Sequence, residues 1–186
     1  MASGDLTGLE TVKAYLKIQD ADTTTDELLG TLISAASDFI QGVLNRTFAA
    51  ADYVQRYNGN GVALMVAADY PILSVASVTL NGIPISPALD DISAGYVFDA
   101  DAIYLRGFLF PKGIQNVVLS YRAGFVSIPL AVADACAMLV AKKYKYLDRI
   151  GHLSKVLAGE TISYEKSDLT DEIKSILRNY AKVVPV

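Results

Sequence analysis

Few side chains in this 186-residue chain could do chemistry: one histidine, one cysteine and some close pairs of acids. His152 follows Gly151 in a stretch that reads as a loop, with no cysteine beside it and no motif around it. Nothing in the sequence supplies it with a nucleophile or an orienting group, and an exposed loop histidine is the plain reading. Cys136 sits in an alanine-rich helical pattern, where a lone thiol behaves as a small buried hydrophobe. One Cys and one His cannot make up the roughly four ligands of a structural zinc site. The pairs Asp20/Asp22, Asp90/Asp91 and Asp99/Asp101 are of a type that binds hard cations. None has the alternating ligands, central glycine and closing glutamate of a calcium loop, and turn or capping roles suit them. Asn58-Gly59-Asn60-Gly61 lacks phosphate-loop spacing and opens no helix, so it reads as a turn. No catalytic residue, cofactor or metal ligand is assigned.

Two basic features stand out. Lys142, Lys143, Lys145 and Arg149 cluster with Tyr144 and Tyr146 between them, and Lys174, Arg178 and Lys182 recur every fourth residue. They read either as solvated helix faces placed to suit the macrodipole, or as an electrostatic contact with an acidic partner or passing DNA phosphates. The net charge of -4, from 16 Lys+Arg and 20 Asp+Glu, disfavours a generally basic nucleic-acid binder. Charge is uneven along the chain. Residues 1–52 hold eight acids and three bases (-5), residues 53–126 five and four (-1), and residues 127–186 seven and nine (+2). The two ends could attract each other across a subunit contact.

A 52% hydrophobic, 19% charged composition excludes disorder and leaves apolar surface that neighbouring subunits could cover. A single cysteine implies no oxidising compartment. The opening MASGDLTGLE is not a signal peptide, and no apolar run approaches the ~20 residues of a membrane span. The elements that position these residues read as helix, helix, strands, helix, helix. Thr7/Glu10 and Thr24/Glu27 have capping-box spacing. The second box opens a long helix with Leu28, Leu29, Leu32, Ile33, Ala36, Phe39, Ile40, Val43 and Leu44 at helical spacing, ended by Asn45 and Arg46. Strands are expected at 53–57, 63–66, 72–80, 83–85, 96–98, 102–105 and 117–121, with Asn81-Gly82 as a type I′ hairpin turn. Helix returns after Ser127, with Pro129 in its first turn and Ala133, Cys136, Ala137, Val140, Tyr144 and Leu147 on one face. Its alanines at 131, 133, 135, 137 and 141 would let another helix approach closely. Residues 151–166 read as a loop or extended arm. A last amphipathic helix carries Leu169, Ile173, Ile176, Leu177 and Tyr180 on one side. The expected fold is α+β: a helical body drawn from both termini (1–52 and 127–186), with an antiparallel β module (53–126) inserted.

The order of several strings resembles the head-tail connector, or portal adaptor, proteins of tailed bacteriophages and prophages. They are LETVKAYLKI (9–18) with DELL (26–29) and AAS (35–37), YPILSV (70–75) with VTLNG (78–82), NVVLSYRAGF (116–125) before Ile128-Pro129, and GETISY (159–164). The resemblance implies a structural protein of the virion neck, made in the host cytoplasm, and no enzyme. It implies a homo-oligomer ring, usually a dodecamer, beneath the portal protein. Such a ring extends the channel through which genomic DNA passes and offers a platform to the next neck or tail protein. Shorter family members are almost wholly helical, so the β-rich middle is a departure. Alternatives from the residues are a stopper or terminator protein, or a ligand-binding β module.

Three sets of site residues follow as expectations. Thr161, Ile162, Ser163, Tyr164, Lys174, Ile176, Arg178, Tyr180 and Lys182 form a portal-docking arm, in which the 161–164 segment adds a strand to a partner's edge. Leu32, Phe39 and Ile40 serve subunit packing or the core. Lys142, Lys143, Lys145 and Arg149 meet the DNA channel or a partner.

Overall fold

Helices α1 (Leu9–Leu16) and α2 (Asp26–Leu44) open the chain. Seven strands follow: β1 (Ala51–Gly59), β2 (Leu64–Val66), β3 (Ile72–Leu80), β4 (Ile83–Ile85), β5 (Gly95–Phe98), β6 (Ala102–Arg106) and β7 (Gly113–Ala123). Then come α3 (Leu130–Leu147), a pair of short strands β8 (Ser154–Leu157) and β9 (Glu160–Ser163), and α4 (Asp171–Arg178). This computed structural model describes residues 4–147, 154–157, 160–163 and 169–181. The fold is α+β, with helices at both ends and antiparallel strands between. Contacts divide the described residues into two units: those within 4–48 and 128–181, and those within 49–127.

In the helical unit, neither expected capping box forms. Gly8, in an extended conformation, is the N-cap of α1, while Thr7 is buried. Thr25, one residue later than expected, is the N-cap of α2 and makes no side-chain cap bond. At the start of α2 the connector is organised by Lys13, which is 3% exposed. Its Nζ donates to the carbonyls of Asp20 (3.2 Å) and Asp22 (2.7 Å) and pairs with Asp26 Oδ1 at 2.6 Å. A buried ammonium without such partners would cost several kcal/mol. The connector therefore gathers around it, and that gathering sets where α2 begins. The Asp22 carboxylate also accepts the Thr24 N–H at 3.0 Å. Asn45 closes α2 as expected, in the left-handed conformation (φ 49°), with the Arg46 N–H on the Gln41 carbonyl.

Helix α2 buries Leu29, Ile33, Ala36, Ile40 and Leu44. Of the three residues expected in packing, Ile40 is fully buried, while Leu32 and Phe39 are half-buried. Helix α3 buries Val132, Ala135 and Leu139 besides Cys136, Ala137 and Val140. Leu147 is exposed, and Ala133 and Tyr144 are only partly covered. Burial exceeds one face because α1, α2 and α4 all pack on α3. The Thr170 hydroxyl caps α4 by accepting the Ile173 N–H, and Ile173 and Leu177 complete the core. Residues 151–166 are not simply a loop, since β8 and β9 pair within them, Ser154 opposite Ser163 and Leu157 opposite Glu160.

In the β unit, a four-stranded sheet (β1-β7-β3-β4) and a three-stranded sheet (β2-β6-β5) share one core. Ile103, Phe110, Val117 and Leu119 are fully buried in it. Asn81 and Gly82 both take positive φ (49° and 83°), as the type I′ turn between β3 and β4 demands. A polar cluster holds the 67–71 connection. The Tyr57 and Tyr121 hydroxyls accept the N–H groups of Ala68 and Asp69, and both donate to Gln55 Oε1. Burial drives the Tyr121 phenol pKa far above its usual range. Where the unit begins and ends, Gly124 (φ 117°) donates its N–H to the Pro71 carbonyl. A Cβ there would stand 2.7 Å from the Ala49 carbonyl oxygen, which only glycine avoids.

Two outcomes follow for stability. Ile40→Ala is expected to cost about 2–5 kcal/mol, the range for fully buried large-to-small changes, and half-buried Phe39→Ala less; denaturant melts measure both. Asp99 is held down to about 2, first by the Tyr104 hydroxyl and then by the N–H groups of Asp101 and Ala102. Its folded pKa lies below the ordinary 3.8. Its stabilisation is therefore complete above about pH 4 and lost as pH falls towards 2. Melts across that window should show Asp99→Asn losing less stability than the parent.

Candidate functional site

Among the described residues, no reactive group lies in a cleft. Cys136 is fully buried, its Sγ 3.6 Å from Ser37 Oγ, and burial pushes the thiol up to about 11. At neutral pH it is a protonated core side chain, not a nucleophile. His152 lies outside the described residues. The acid pairs serve turns. Asp20 and Asp22 offer backbone carbonyls to Lys13. Asp90 Oδ1 accepts the N–H groups of Ile92 and Ser93, which lowers its pKa. Asp99 does the same for the β5–β6 turn. Among the described residues no three His, Cys, Asp or Glu side chains are grouped to hold a metal, and no helix is long and apolar enough to cross a membrane. What remains are surfaces.

The first surface is basic. Lys143 lies over the Phe39 ring, 5.3 Å from its centroid, so α3 and α2 share that contact. Lys142 and Lys145 line a shallow depression with Tyr15, Met138 and Ala141. Arg149 lies outside the described residues.

The second surface is α4 and the strands before it. The apolar side of α4 is used within its own chain: Ile173 and Leu177 are buried, Ile176 is half-buried, and the Tyr180 ring sits 6.2 Å from that of Phe48. Lys174 and Arg178 are exposed, with Lys174 3.2 Å from Asp171. Thr161, Ile162 and Ser163 lie in β9, opposite Val156, Lys155 and Ser154. Tyr164 and Lys182 lie outside the described residues. Of the expected docking residues on the described part of α4, Ile176 and Tyr180 turn towards their own chain while Lys174 and Arg178 stay exposed.

The third surface is the tip of the β unit, where the Asn81-Gly82 turn is expected from the sequence to project and serve the next assembly step; the exposed apolar side chains around it are not among the expected site residues. Strands β1 and β7 pair from Ala51 opposite Ala123, where the β unit begins and ends, to Gly59 opposite Gly113 at the far end. That far end is stapled by Asn116. Its Oδ1 accepts the Gly59 N–H (2.9 Å), and its Nδ2 donates to Asn81 Oδ1 (3.1 Å) and to the Pro111 carbonyl (2.8 Å). Around it stand exposed apolar side chains: Ile83, Leu109 and Ile114 at 65%, 58% and 87%. Next to the end of β6, the turn closed by Asp90 and Ser93 carries Leu89 and Ile92, almost wholly exposed, and Arg106 donates to the Asp90 carbonyl. Rigid turns that present large apolar side chains are a feature of interaction sites. Their sequence signal is apolar residues set between turn residues, which hydropathy averaging hides.

Comparison with known proteins comes last. No curated protein sequence matches the chain. Among solved structures, the neck of an empty gene transfer agent (GTA) particle computed with C6 symmetry superposes with TM-score 0.58 at 17% identity, covering 100% of this chain and 95% of that one. The neck of a native GTA particle computed with C12 symmetry gives 0.55 and 16%, with the same coverage. The virion of a native gene transfer agent particle gives 0.56 and 16%, covering 95% and 89%. At such identity these likenesses establish a shared fold. A family model described as head completion protein matches residues 5–183, nearly the whole chain, and the protein belongs to that family.

Proposed function

We infer that the protein works by assembly rather than chemistry, as a head-tail connector in the neck of a tailed phage or related particle, between capsid and tail. The observation that carries this is the head completion family match over residues 5–183. The cyclic symmetry of the similar GTA necks supports a ring of identical subunits, of which a dodecamer is the form proposed. In this reading the ring docks on the portal protein, continues the DNA channel and carries the next neck or tail protein. DNA would pass without sequence readout, which suits a net charge of -4 with only local basic patches.

Within that reading, the 161–164 segment and the basic side of the last helix are proposed to meet the portal. Docking would then use Lys174 and Arg178 together with a strand edge, since Ile173 and Leu177 are committed to the core. The Asn116-stapled end of the β unit is proposed to meet the next neck or tail protein through its apolar turns. Lys142, Lys143 and Lys145 are proposed to face the channel or a partner.

Mass measurement of the full chain, alone and mixed with its portal protein, tests the reading: a ring-sized mass with portal is expected, and a monomer indifferent to portal would overturn it. Truncating the last helix would open the core, so charge reversal is the cleaner probe of docking. Lys174→Glu/Arg178→Glu should melt like the parent but bind portal more weakly, and parent binding should weaken with added salt. Unchanged, salt-independent binding by the variant would refute this contact. Leu89→Ser/Ile92→Ser should leave folding and portal binding intact while lowering recruitment of the next neck protein about tenfold or more.

A further inference from the structure

The apolar arc of α2 is wider than its own chain covers. At 3.6 residues per turn, the buried residues Leu29, Ile33, Ala36, Ile40 and Leu44 span roughly 100° of the helix surface. Beside them Leu28, Leu32, Ala35, Phe39 and Val43 form a second stripe, bringing the apolar arc to roughly 200°. Leu28 and Val43 are 41% and 53% exposed, Ala35 is exposed, and Leu32 and Phe39 are half-buried. The stripe runs nearly the length of the helix. Exposed Glu27 and Asp38 lie on its polar flank.

The same unit carries a surface of complementary shape and charge. Between α1 and α3 runs a shallow groove joined by the Tyr15 hydroxyl's bond to Asp134. One part is lined by Thr11, Leu130, Ala131, Ala133 and Asp134, the other by Tyr15, Met138 and Ala141 with Lys142 and Lys145. Alanines make its floor low, so a helix can lie close. Leu130, 87% exposed, stands at its rim. The groove is therefore largely apolar, with the Asp134 carboxylate in one part engaged by the Tyr15 hydroxyl and the cations Lys142 and Lys145 in the other, and the α2 stripe is apolar with carboxylates along one side.

We propose that the exposed stripe of α2 seats in the α1–α3 groove of a second copy of this chain, and that this contact closes the ring. The proposal rests on the ring reading above and adds which surfaces make it. A ring with cyclic symmetry above two-fold needs two different, mutually complementary patches on each subunit. The ridge and the groove are such a pair. One carboxylate of the ridge's flank, Glu27 or Asp38, opposite Lys142 and Lys145 adds charge complementarity to the apolar contact. A groove filled by an unrelated partner, or an α2–α2 contact about a two-fold, would not use both surfaces in one closed assembly.

Complementation tests it. In the full chain, Leu28→Asp/Val43→Asp spoils the ridge and Leu130→Asp/Ala131→Asp spoils the groove, all at exposed positions, so both variants should keep the parent melting temperature. Each alone should need at least ~100-fold higher concentration to assemble. Mixed one to one, they retain one good ridge and one good groove between them. The mixture should form a one-to-one dimer and stop there, as read by native mass measurement. A ring formed by either variant at the parent's concentration overturns the interface while leaving the ring reading intact. Absence of the mixed dimer, with the parent forming rings, overturns the ridge-to-groove pairing. A parent monomeric with and without portal protein overturns the ring reading and this contact together.

Discussion

The arrangement depends on one constraint: the β unit begins and ends at neighbouring points. Ala51 pairs with Ala123, Ala49 bridges Phe125, and the Ala50 N–H bonds the Phe125 carbonyl at 3.2 Å. Partners on adjacent antiparallel strands have Cα atoms about 4.5–5.5 Å apart. The chain therefore leaves the helical unit and returns to it through a gap of one strand spacing. That lets segments more than 80 residues apart in sequence, such as α2 and α3, build one core. Gly124 is indispensable to this closure, because a side chain at its φ of 117° would collide with the Ala49 carbonyl.

Each unit then solves its own burial problem with polar groups as well as apolar ones. In the helical unit, Lys13 draws three oxygen atoms of the 20–26 stretch onto one ammonium. In the β unit, Gln55, Tyr57 and Tyr121 share hydrogen bonds that hold the 67–71 connection. Buried networks of this kind rigidify only when satisfied. Here they fix connectors rather than catalytic groups. A lysine that could have served as a charged site is used as a structural rivet, and a cysteine that could have been a nucleophile is held protonated at the centre of a helix bundle.

Function in such a molecule lies in surfaces, and the surfaces differ in kind. The far end of the β unit is stapled and apolar, the basic side of α4 is charged and solvated, and the α2 stripe is an apolar face adjoining a completed core. A subunit of a neck needs contacts of several kinds: one to its own copies, one above and one below. Membership of the head completion family and the fold shared with GTA necks are consistent with such a division.

Much of the architecture was legible in the residues. Alternation and turn chemistry located all seven strands of the β unit to within a few residues, and Asn81-Gly82 announced its turn because few other dipeptides accept positive φ twice. The amphipathic spacing of α2 and the αL stop at Asn45 were equally local. What sequence could not decide is whatever depends on distant partners. The capping box at Thr24 failed where a lysine in α1 gathers the connector before α2, and Thr7 is buried while Gly8 caps α1. Leu32, Phe39 and Ile40 all belong to the one broad apolar arc of α2, yet of the three only Ile40 is fully buried, since burial depends on where α3 lies. The last helix reads as an arm in isolation and as part of the core once α3 is beside it. Local periodicity states which side of an element is apolar; only the tertiary structure decides how much of that side its own chain covers and how much is left for another.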